Sequence, residues 1–303
     1  MSSAPPSGPP WPPPTPWPAW PPPPSSPPVW PPPATDRHPA PSEDDDDRRR
    51  WPPYTTARGW SWIFIAAAGF LVGQVLSAVL LVAVAAVNGH LHDVSRLAAR
   101  QVPPGWVVVT GLVGLWIGFL GAVVLASRSG GTGNLARDMG LRVRPVDFVI
   151  GPLVGLGGQL ILLPLLYLPL EHFIPNLSQK LSQPAKHLTG GFPGADLAVI
   201  GVLTVLVVPV VEELLFRGLF LRGALRAFAG AGRRLGPALA VVTTGIVFGL
   251  AHLEALETLG LAAFGMVLAL MALRYGRLGP CILAHATFNL VAVVAVAVMA
   301  PPH

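Results

Sequence analysis

The chain has 303 residues, of which 52% are hydrophobic and only 12% charged, and its mean hydropathy is +0.57. Soluble domains carry roughly 25% charged residues, so this composition excludes an ordinary soluble globule and indicates a chain surrounded by membrane lipid. The formal net charge of +5 comes mainly from arginine. In a membrane protein such an excess sets topology, so no nucleic-acid partner is expected.

Residues 1–58 differ in composition from everything that follows. Of the 36 prolines in the chain, 22 lie in residues 1–53. Proline at this density removes backbone donors and blocks helices and sheets, which predicts a disordered, polyproline-like cytoplasmic arm. Its tryptophans could stack on an unknown partner or contact lipid headgroups, but a tethered tail of low complexity is the favoured interpretation of the arm.

Seven apolar stretches follow the arm, and a membrane helix needs about 20 such residues. The fourth is expected to remain helical to about Phe228, and Trp60 and Trp62 are expected at the membrane interface where the first begins. The predicted fold is therefore an all-α, polytopic bundle of transmembrane helices with about seven spans. The predicted spans are Trp60–Val87, Trp106–Ala126, Val146–Leu170, Ala195–Leu215, Pro237–His252, Leu256–Leu273 and Cys281–Met299.

Arginine alternates between the connections of these spans. Positive charge is retained on the cytoplasmic side of a membrane, so the alternation predicts a multi-pass protein of the cell membrane with a cytoplasmic N-terminus and an external C-terminus. The connections predicted inside hold Arg128, Arg137, Arg142, Arg144, Arg222, Arg226, Arg233, Arg234, Arg274 and Arg277, whereas those outside hold Arg96, Arg100, Lys180 and Lys186.

The first polar cluster within a span is Glu212-Glu213-Leu214-Leu215-Phe216-Arg217. Glu213 and Arg217 are four residues apart, share a helix face and can form an ion pair. Glu212 is turned about 100° away, and no cation is near it in the sequence. A buried carboxylate without a partner is suited to proton transfer. The alternative is that both glutamates pair with arginines at the cytoplasmic interface.

Two further clusters lie on later helices. Phe248-Gly249-Leu250-Ala251-His252 places an imidazole at the end of a short apolar helix, and His285-Ala286-Thr287-Phe288-Asn289 places His285 and Asn289 on one face. Polar groups inside a membrane are costly and are functional candidates by default, although such a pair can also simply hold helices together. Together, the three clusters can activate a water molecule and hold an oxyanion, or bind a divalent metal.

The ordered motifs Glu-Glu-x-x-x-Arg, Phe-x-x-x-His and His-x-x-x-Asn resemble those of the CPBP family, which contains the type II CAAX prenyl endopeptidases, the Abi proteins and the bacteriocin-processing proteins. The resemblance extends from about Leu141 to Val298. It implies an intramembrane protease core at 141–300, whereas the arm and the N-terminal transmembrane helices at 59–140 lie outside it. It also implies a site in the cytoplasmic half of the bilayer.

The resemblance implies a role for each motif residue. Glu212 would activate water with help from His252, while His285 and Asn289 would stabilise the oxyanion, and Glu213 and Arg217 would orient the site. No cofactor is certain. If a divalent metal such as zinc takes part, Glu212, His252 and His285 are its candidate ligands, and the sequence leaves open whether the mechanism depends on metal or on glutamate alone.

The expected function is hydrolysis of peptide bonds in membrane-associated or lipidated protein or peptide substrates, with membrane lipid as the surrounding partner. The main alternative is a non-catalytic immunity or scaffold protein of the same family. A transporter with a proton relay would normally show repeated broken helices, and none are evident. A cysteine protease using Cys281, four residues before His285, is disfavoured because buried cysteines are usually inert.

One difficulty concerns His252. It lies about 22 Å along its helix from Pro237 at 1.5 Å per residue, whereas His285 lies only a few residues from Arg277. For the three motifs to meet, the segment Arg222–Arg234 must extend below the membrane, the fifth helix must be steeply tilted, or the fifth element must be re-entrant.

Overall fold

The computed structural model describes residues 56–100, 103–177, 179–181 and 194–299. Within these residues the secondary structure is helical and contains no strand, so the all-α prediction is confirmed. The predicted proline-rich arm lies outside the described residues as far as residue 55, and the first helix begins at Thr56. All of the described residues belong to one compact unit, Asp47–His303.

The structure contains nine principal helices among the described residues. We label them α1 (Thr56–Val87), α2 (Val94–Ala98), α3 (Gly105–Gly130), α4 (Leu135–Met139), α5 (Asp147–Glu171), α6 (Gly194–Ala227), α7 (Leu235–Ala251), α8 (Thr258–Tyr275) and α9 (Gly279–Met299). Helix α5 contains a π-helical segment, Gly158–Leu162, and α6 contains two, Leu203–Val207 and Leu214–Phe220.

Five of these helices, α1, α3, α5, α6 and α8, are long and apolar enough to cross a membrane, while α7 and α9 contain shorter apolar helices. Many large apolar side chains point outward from the bundle, for example Phe64, Leu71, Phe148 and Leu165, each more than 60% exposed. Such exposure would be unfavourable in water but suits a surface covered by lipid. The seven predicted spans therefore all correspond to helices.

Helices α1 and α3 pack through small residues spaced four apart. Gly69, Gly73 and Ser77 of α1 face Gly114, Gly118 and Ala122 of α3, and a Cβ added to Gly118 would collide with the backbone of Gly73. The Ser77 hydroxyl donates to the carbonyl of Gly111 at 2.6 Å. Small residues let transmembrane backbones approach closely, so this spacing explains how α1 is attached to the bundle.

The length of α6 explains how His252, at the far end of its helix, can lie near Glu212. Helix α6 continues for about 22 Å beyond Glu212, and α7 returns antiparallel beside it over a similar length. Glu212 and His252 therefore reach the same level without a re-entrant element. The helical extension after Glu212 includes Arg222 and Arg226, and whether the segment Arg222–Arg234 lies below the membrane stays a prediction.

Buried arginines join the elements at one end of the bundle. Arg277 forms a paired ion bridge with Asp147, with distances of 2.6 and 3.1 Å. Arg222 donates to the carbonyl of Asp138. The guanidinium of Arg226 lies 4.0 Å from the centre of the Trp62 ring. The prediction that Trp62 is interfacial is therefore wrong, because its ring is buried in the bundle, whereas Trp60 is exposed.

The connection between α3 and α4 is held by Asp138. Its carboxylate accepts hydrogen bonds from the Ser127 hydroxyl at 2.6 Å and from Thr132 and Gly133. Burial raises the pKa of Asp138, but these hydrogen bonds outweigh burial and lower it below its usual value. Asp138 is therefore a structural anion that fixes this connection next to Arg222.

Candidate active site

The Glu212 carboxylate is largely buried and lies between two imidazoles. Its side chain is 14% exposed, and the Oε2 atom is buried and accepts no hydrogen bond from any described residue. Two imidazole nitrogens lie 3.9 Å from this oxygen, Nε2 of His252 and Nε2 of His285. The structure thus brings together three residues that are far apart in the sequence, from helices α6 and α9 and the end of α7.

Both imidazoles are oriented through their other nitrogen. Nδ1 of His252 lies 2.8 Å from the Phe248 carbonyl, and Nδ1 of His285 lies 3.0 Å from Oε1 of Glu213. Since a carbonyl or carboxylate oxygen only accepts, Nδ1 is the donor in each ring. In the neutral form of each ring Nε2 is unprotonated, so in that form two imidazole acceptors face the Glu212 carboxylate.

Glu213 is enclosed by groups that stabilise its charge. Arg217 donates to Oε1 of Glu213 at 2.7 Å, and both side chains are fully buried. Arg217 also donates to the carbonyl of Gly265 in α8 at 3.2 Å. The predicted ion pair is therefore present, and it links α6 to both α8 and, through His285, α9.

The Phe248 ring lies at the centre of the site. The guanidinium of Arg217 lies 4.3 Å from its centre, a distance at which a cation is attracted to an aromatic face. The rings of His252 and His285 meet Phe248 edge-to-face, with centroids 4.8 and 5.6 Å away. In the sequence Phe248 is identified only as the first residue of its motif. Its position one turn before His252 nevertheless predicts contact with that ring.

Asn289 is placed differently from the other predicted residues. Its Nδ2 donates to the carbonyl of Thr204 at 2.9 Å. Thr204 belongs to the first π-helical segment of α6. Asn289 therefore joins α9 to α6 one helical turn from His285, and the role predicted for it at the oxyanion remains a prediction.

The chain turns sharply immediately after His252. Leu253 has a φ of 58°, a left-handed conformation that is unfavourable for a residue with a Cβ. The following connection carries Glu254 and Glu257, and Tyr167 of α5 donates to the carbonyl of Leu256 at 2.8 Å. Burial and the nearby Glu254 raise the pKa of Glu257 to about 7.

The side chains as placed do not fit a metal ion. Zinc bound at roughly 2.0–2.2 Å to three ligands would bring their donor atoms within about 3.5 Å of one another, whereas Glu212 Oε2 lies 3.9 Å from both histidine nitrogens. Among the described residues, no group of three His, Cys, Asp or Glu side chains is arranged to hold a metal. The metal site left open by the sequence is therefore not formed.

Cys281 is held by packing contacts. It is fully buried, and its thiol donates to the carbonyl of Leu268 at 3.4 Å. It packs in an apolar cluster with Leu268, Phe264 and Phe288. These contacts give Cys281 a packing role and add nothing to the cysteine protease alternative.

Residues 194–291 match the family described as type II CAAX prenyl endopeptidase Rce1-like. This match supports the resemblance to the CPBP family that the three motifs indicate. The matched segment contains all six predicted site residues, and the match supports assignment to the CAAX type of intramembrane protease. With the apolar helices, it makes the chain a membrane protein. No curated protein and no solved structure matches the chain significantly.

Proposed function

We propose that the protein is an intramembrane endopeptidase that hydrolyses peptide bonds of membrane-associated or lipidated substrates, with Glu212 as the base. The observation that supports this best is the buried Oε2 of Glu212, which accepts no hydrogen bond from the described residues and faces two imidazole nitrogens at 3.9 Å. Glu213 also has one buried oxygen, Oε2, without a partner among the described residues, but its other oxygen accepts from Arg217 and contacts His285.

The converging acceptors favour a bound water molecule. Three acceptor atoms repel one another unless a hydrogen donor lies between them, and a water molecule can donate its two hydrogens to Glu212 and to one imidazole. Separations of 3.9 Å exceed a direct hydrogen bond and are compatible with bridging by water. The lone pairs of the water oxygen are then available for attack on a carbonyl.

The proposed reaction has two steps. The water oxygen bonds to the carbonyl carbon of the scissile peptide, Glu212 takes the proton, and the carbonyl electrons move to its oxygen. The carbon–nitrogen bond then breaks as the oxyanion collapses, and Glu212 returns the proton to the amine. His252 and His285 hold the water through their unprotonated Nε2 atoms, and an imidazole that has taken up a proton from solvent at Nε2 can instead donate to the oxyanion. Asn289 retains one amide N–H for the same purpose.

Glu213 and Arg217 are positioning residues in this proposal. Glu213 holds His285 in the tautomer that turns Nε2 towards Glu212, much as a carboxylate orients the histidine of a catalytic triad. Arg217 fixes Glu213 from the other side. Neither group contacts the proposed position of the water.

The deciding experiment compares membrane proteins from cells that express the wild type or Glu212→Gln, and identifies new N-termini by mass spectrometry. Peptides cut only by the wild type should be found. Cleavage of a synthetic copy by the purified protein should fall by at least about 10³-fold in Glu212→Gln, because a general base and its water act as a unit. A strong chelator should not inhibit this cleavage.

Glu171→Gln is the matched control, since Glu171 is an exposed glutamate at the end of α5. It should cut at the wild-type rate. If Glu212→Gln also cuts at that rate, the protease assignment in this form is wrong. The non-catalytic immunity or scaffold alternative is favoured if the wild type yields no specific cleavage and cells that express Glu212→Gln behave like cells that express the wild type.

A further inference from the structure

Tyr167 of α5 binds the connection between α7 and α8, residues 252–257, at the end where α8 begins. Its hydroxyl donates to the Leu256 carbonyl at 2.8 Å and accepts from the backbone N–H of Gly260 at 2.9 Å. Gly260 lies in the first turn of α8, where N–H groups lack carbonyl partners within the helix, and the side chain of the preceding Glu257 forms no capping bond. One hydroxyl from another helix therefore fixes the backbone on both sides of this helix start.

The start of α8 lies directly against the last turn of α7. A Cβ added to Gly249 would lie 2.5 Å from the carbonyl oxygen of Thr258 and 3.1 Å from the Cβ of Ala262, so a glycine is needed for this close approach. The backbone N–H of His252 donates to the Gly249 carbonyl at 3.3 Å. The turn of α8 that Tyr167 holds is therefore the turn against which the end of α7 packs.

His252 depends on this backbone more than His285 does. The side chain of His285 is 4% exposed, and its Nδ1 contacts a carboxylate that Arg217 also binds. The side chain of His252 is 28% exposed, and its Nδ1 contacts the carbonyl of Phe248 in its own helix. The next residue, Leu253, has a φ of 58°, and such a strained backbone persists only where the surrounding structure holds it. The position of the His252 imidazole is therefore set by the backbone at the end of α7.

We propose that Tyr167 is a positioning residue for His252 and acts through the start of α8 and the last turn of α7. The inference rests on the proposed function, in which His252 holds the attacking water. It adds a residue of α5, outside the matched segment 194–291. Within the described part of the chain, the hydroxyl of Tyr167 bonds to backbone groups of residues 256, 257 and 260. Its removal therefore changes the geometry of the site without removing a group that takes part in the reaction.

Tyr167→Phe removes the hydroxyl and keeps the ring. Cleavage of the synthetic peptide described above is measured with purified protein in liposomes. The variant should lower kcat by about tenfold, because a small misplacement of a catalytic group is costly. KM should stay at the wild-type value, since Tyr167 binds no substrate in this proposal. A raised KM with an unchanged kcat would overturn the inference, because Tyr167 would then contact the substrate.

Tyr275→Phe is the matched control. Tyr275 lies at the other end of α8, and its ring faces the guanidinium groups of Arg274 and Arg277, a contact that phenylalanine retains. This variant should keep the wild-type kcat and KM. An equal fall in kcat for both variants would overturn the inference, because the loss would not depend on the contacts of Tyr167.

The imidazole signals in NMR spectra separate positioning from a general structural role. Histidine is labelled with ¹⁵N, and the signals are assigned through His252→Ala and His285→Ala. Tyr167→Phe should shift or broaden the signals of His252 and leave those of His285 unchanged. The inference is overturned if the His252 signals match the wild type. It is also overturned if both histidines change alike, since this would indicate a general loss of packing.

Gly260→Ala is a second variant, which decides the matter if Tyr167→Phe does not fold. A Cβ at this position would lie 2.7 Å from the Tyr167 hydroxyl oxygen, so the hydroxyl must move, whereas alanine favours the helix more than glycine does. The same change confined to His252 is expected, and wild-type signals would overturn the inference. If the proposed function fails, no peptide is cut in a Glu212-dependent way, but the His252 signals still show whether Tyr167 positions this ring.

Discussion

Glu212 and Glu213 are neighbours in the chain, but their carboxylates have opposite surroundings. Glu213 accepts from Arg217 and from His285 and is fully buried. Oε2 of Glu212 accepts no hydrogen bond from the described residues. A turn of about 100° per residue directs the two side chains to different neighbours. Glu213 is therefore fixed through Oε1, although its Oε2, like that of Glu212, has no hydrogen-bond partner among the described residues.

The Glu213–Arg217 pair should show the energetics of a buried ion pair. Removing one partner of such a pair costs about 3–5 kcal/mol because a buried charge is left uncompensated. Arg217→Met should therefore lower the midpoint of thermal unfolding in detergent sharply. Glu213→Gln/Arg217→Met removes both charges and should recover part of the loss. The expectation is contradicted if the double variant is no more stable than Arg217→Met.

Glu257 should make stability depend on pH. Its pKa is raised from 4.5 to about 7 by burial and by Glu254. The folded state therefore holds a proton that the unfolded state has lost between these values, and the free energy of unfolding falls as pH rises from about 4.5 to about 7. Thermal unfolding at several pH values should show this decline.

Glu257→Gln should flatten the decline, because Gln keeps the neutral shape of the side chain at every pH. Glu254→Gln removes only the weaker of the two causes and should give an intermediate slope. An unchanged slope in Glu257→Gln would show that another group is responsible.

At the scale of single residues, the sequence predicted local pairs better than distant ones. The spacing of Glu213 and Arg217 was sufficient to predict their ion pair, because a helix fixes the geometry of residues four apart. The contacts of His285 with Glu213 and of Asn289 with Thr204 join different helices. Trp62 was misjudged for the same reason, since its partner Arg226 lies far along the chain.

At the scale of helices, α6 is distinguished by its two π-helical segments. The second begins directly after Glu213 and contains Arg217, and the first supplies the carbonyl that accepts from Asn289. Such segments are rare and often occur at functional sites. In α6 they widen the helix where other helices contribute polar groups.

Helices α1 and α3 should be sensitive to size at their crossing. A side chain at Gly118 would collide with the backbone of Gly73, whereas Gly121 has open space around its Cα. Gly118→Leu should therefore destabilise the protein by about 1–3 kcal/mol, as overpacking does, and Gly121→Leu should have little effect. Thermal unfolding in detergent measures both. Equal losses would show that the crossing is not tightly packed.

The helices themselves were largely predictable, because span length follows from bilayer thickness and apolar composition. All seven predicted spans overlap helices of the structure. The π-helical segments and the close crossing of α1 and α3 were missed. A π-helical turn has no strong signal in composition. The four-residue spacing of Gly69, Gly73 and Ser77, in contrast, is present in the sequence and indicates a close helix crossing.

At the scale of the whole bundle, its two ends differ in charge. Backbone hydrogen bonds from Leu278 to Gly140 and from Gly279 to Arg142 join the α8–α9 connection to the segment before α5. The arginine-rich end that they define has exposed Arg128, Arg137, Arg142, Arg233, Arg234 and Arg274, whereas the opposite end has Asp93, Glu171, Asp196, Glu254 and Glu257 beside Arg96, Arg100 and Lys180.

Some of the arginines that the sequence assigns to cytoplasmic connections are buried, so their charge is not exposed and does not by itself indicate topology. Arg222, Arg226 and Arg277 are buried. Their charge is used in contacts with Asp138, Trp62 and Asp147. The exposed arginines alone still favour the same end of the bundle, so the topological prediction does not depend on the buried ones.

We predict that the arginine-rich end is cytoplasmic, because exposed positive charge is retained on that side. Cysteines placed singly at positions 10, 230 and 303 in a Cys281→Ala background test this in intact cells. Gly230 is exposed between α6 and α7, so its replacement should not disturb packing. An impermeant maleimide should label position 303 and spare positions 10 and 230 until the cells are opened. Labelling of position 230 in intact cells would overturn the orientation, whatever the outcome at the two ends of the chain.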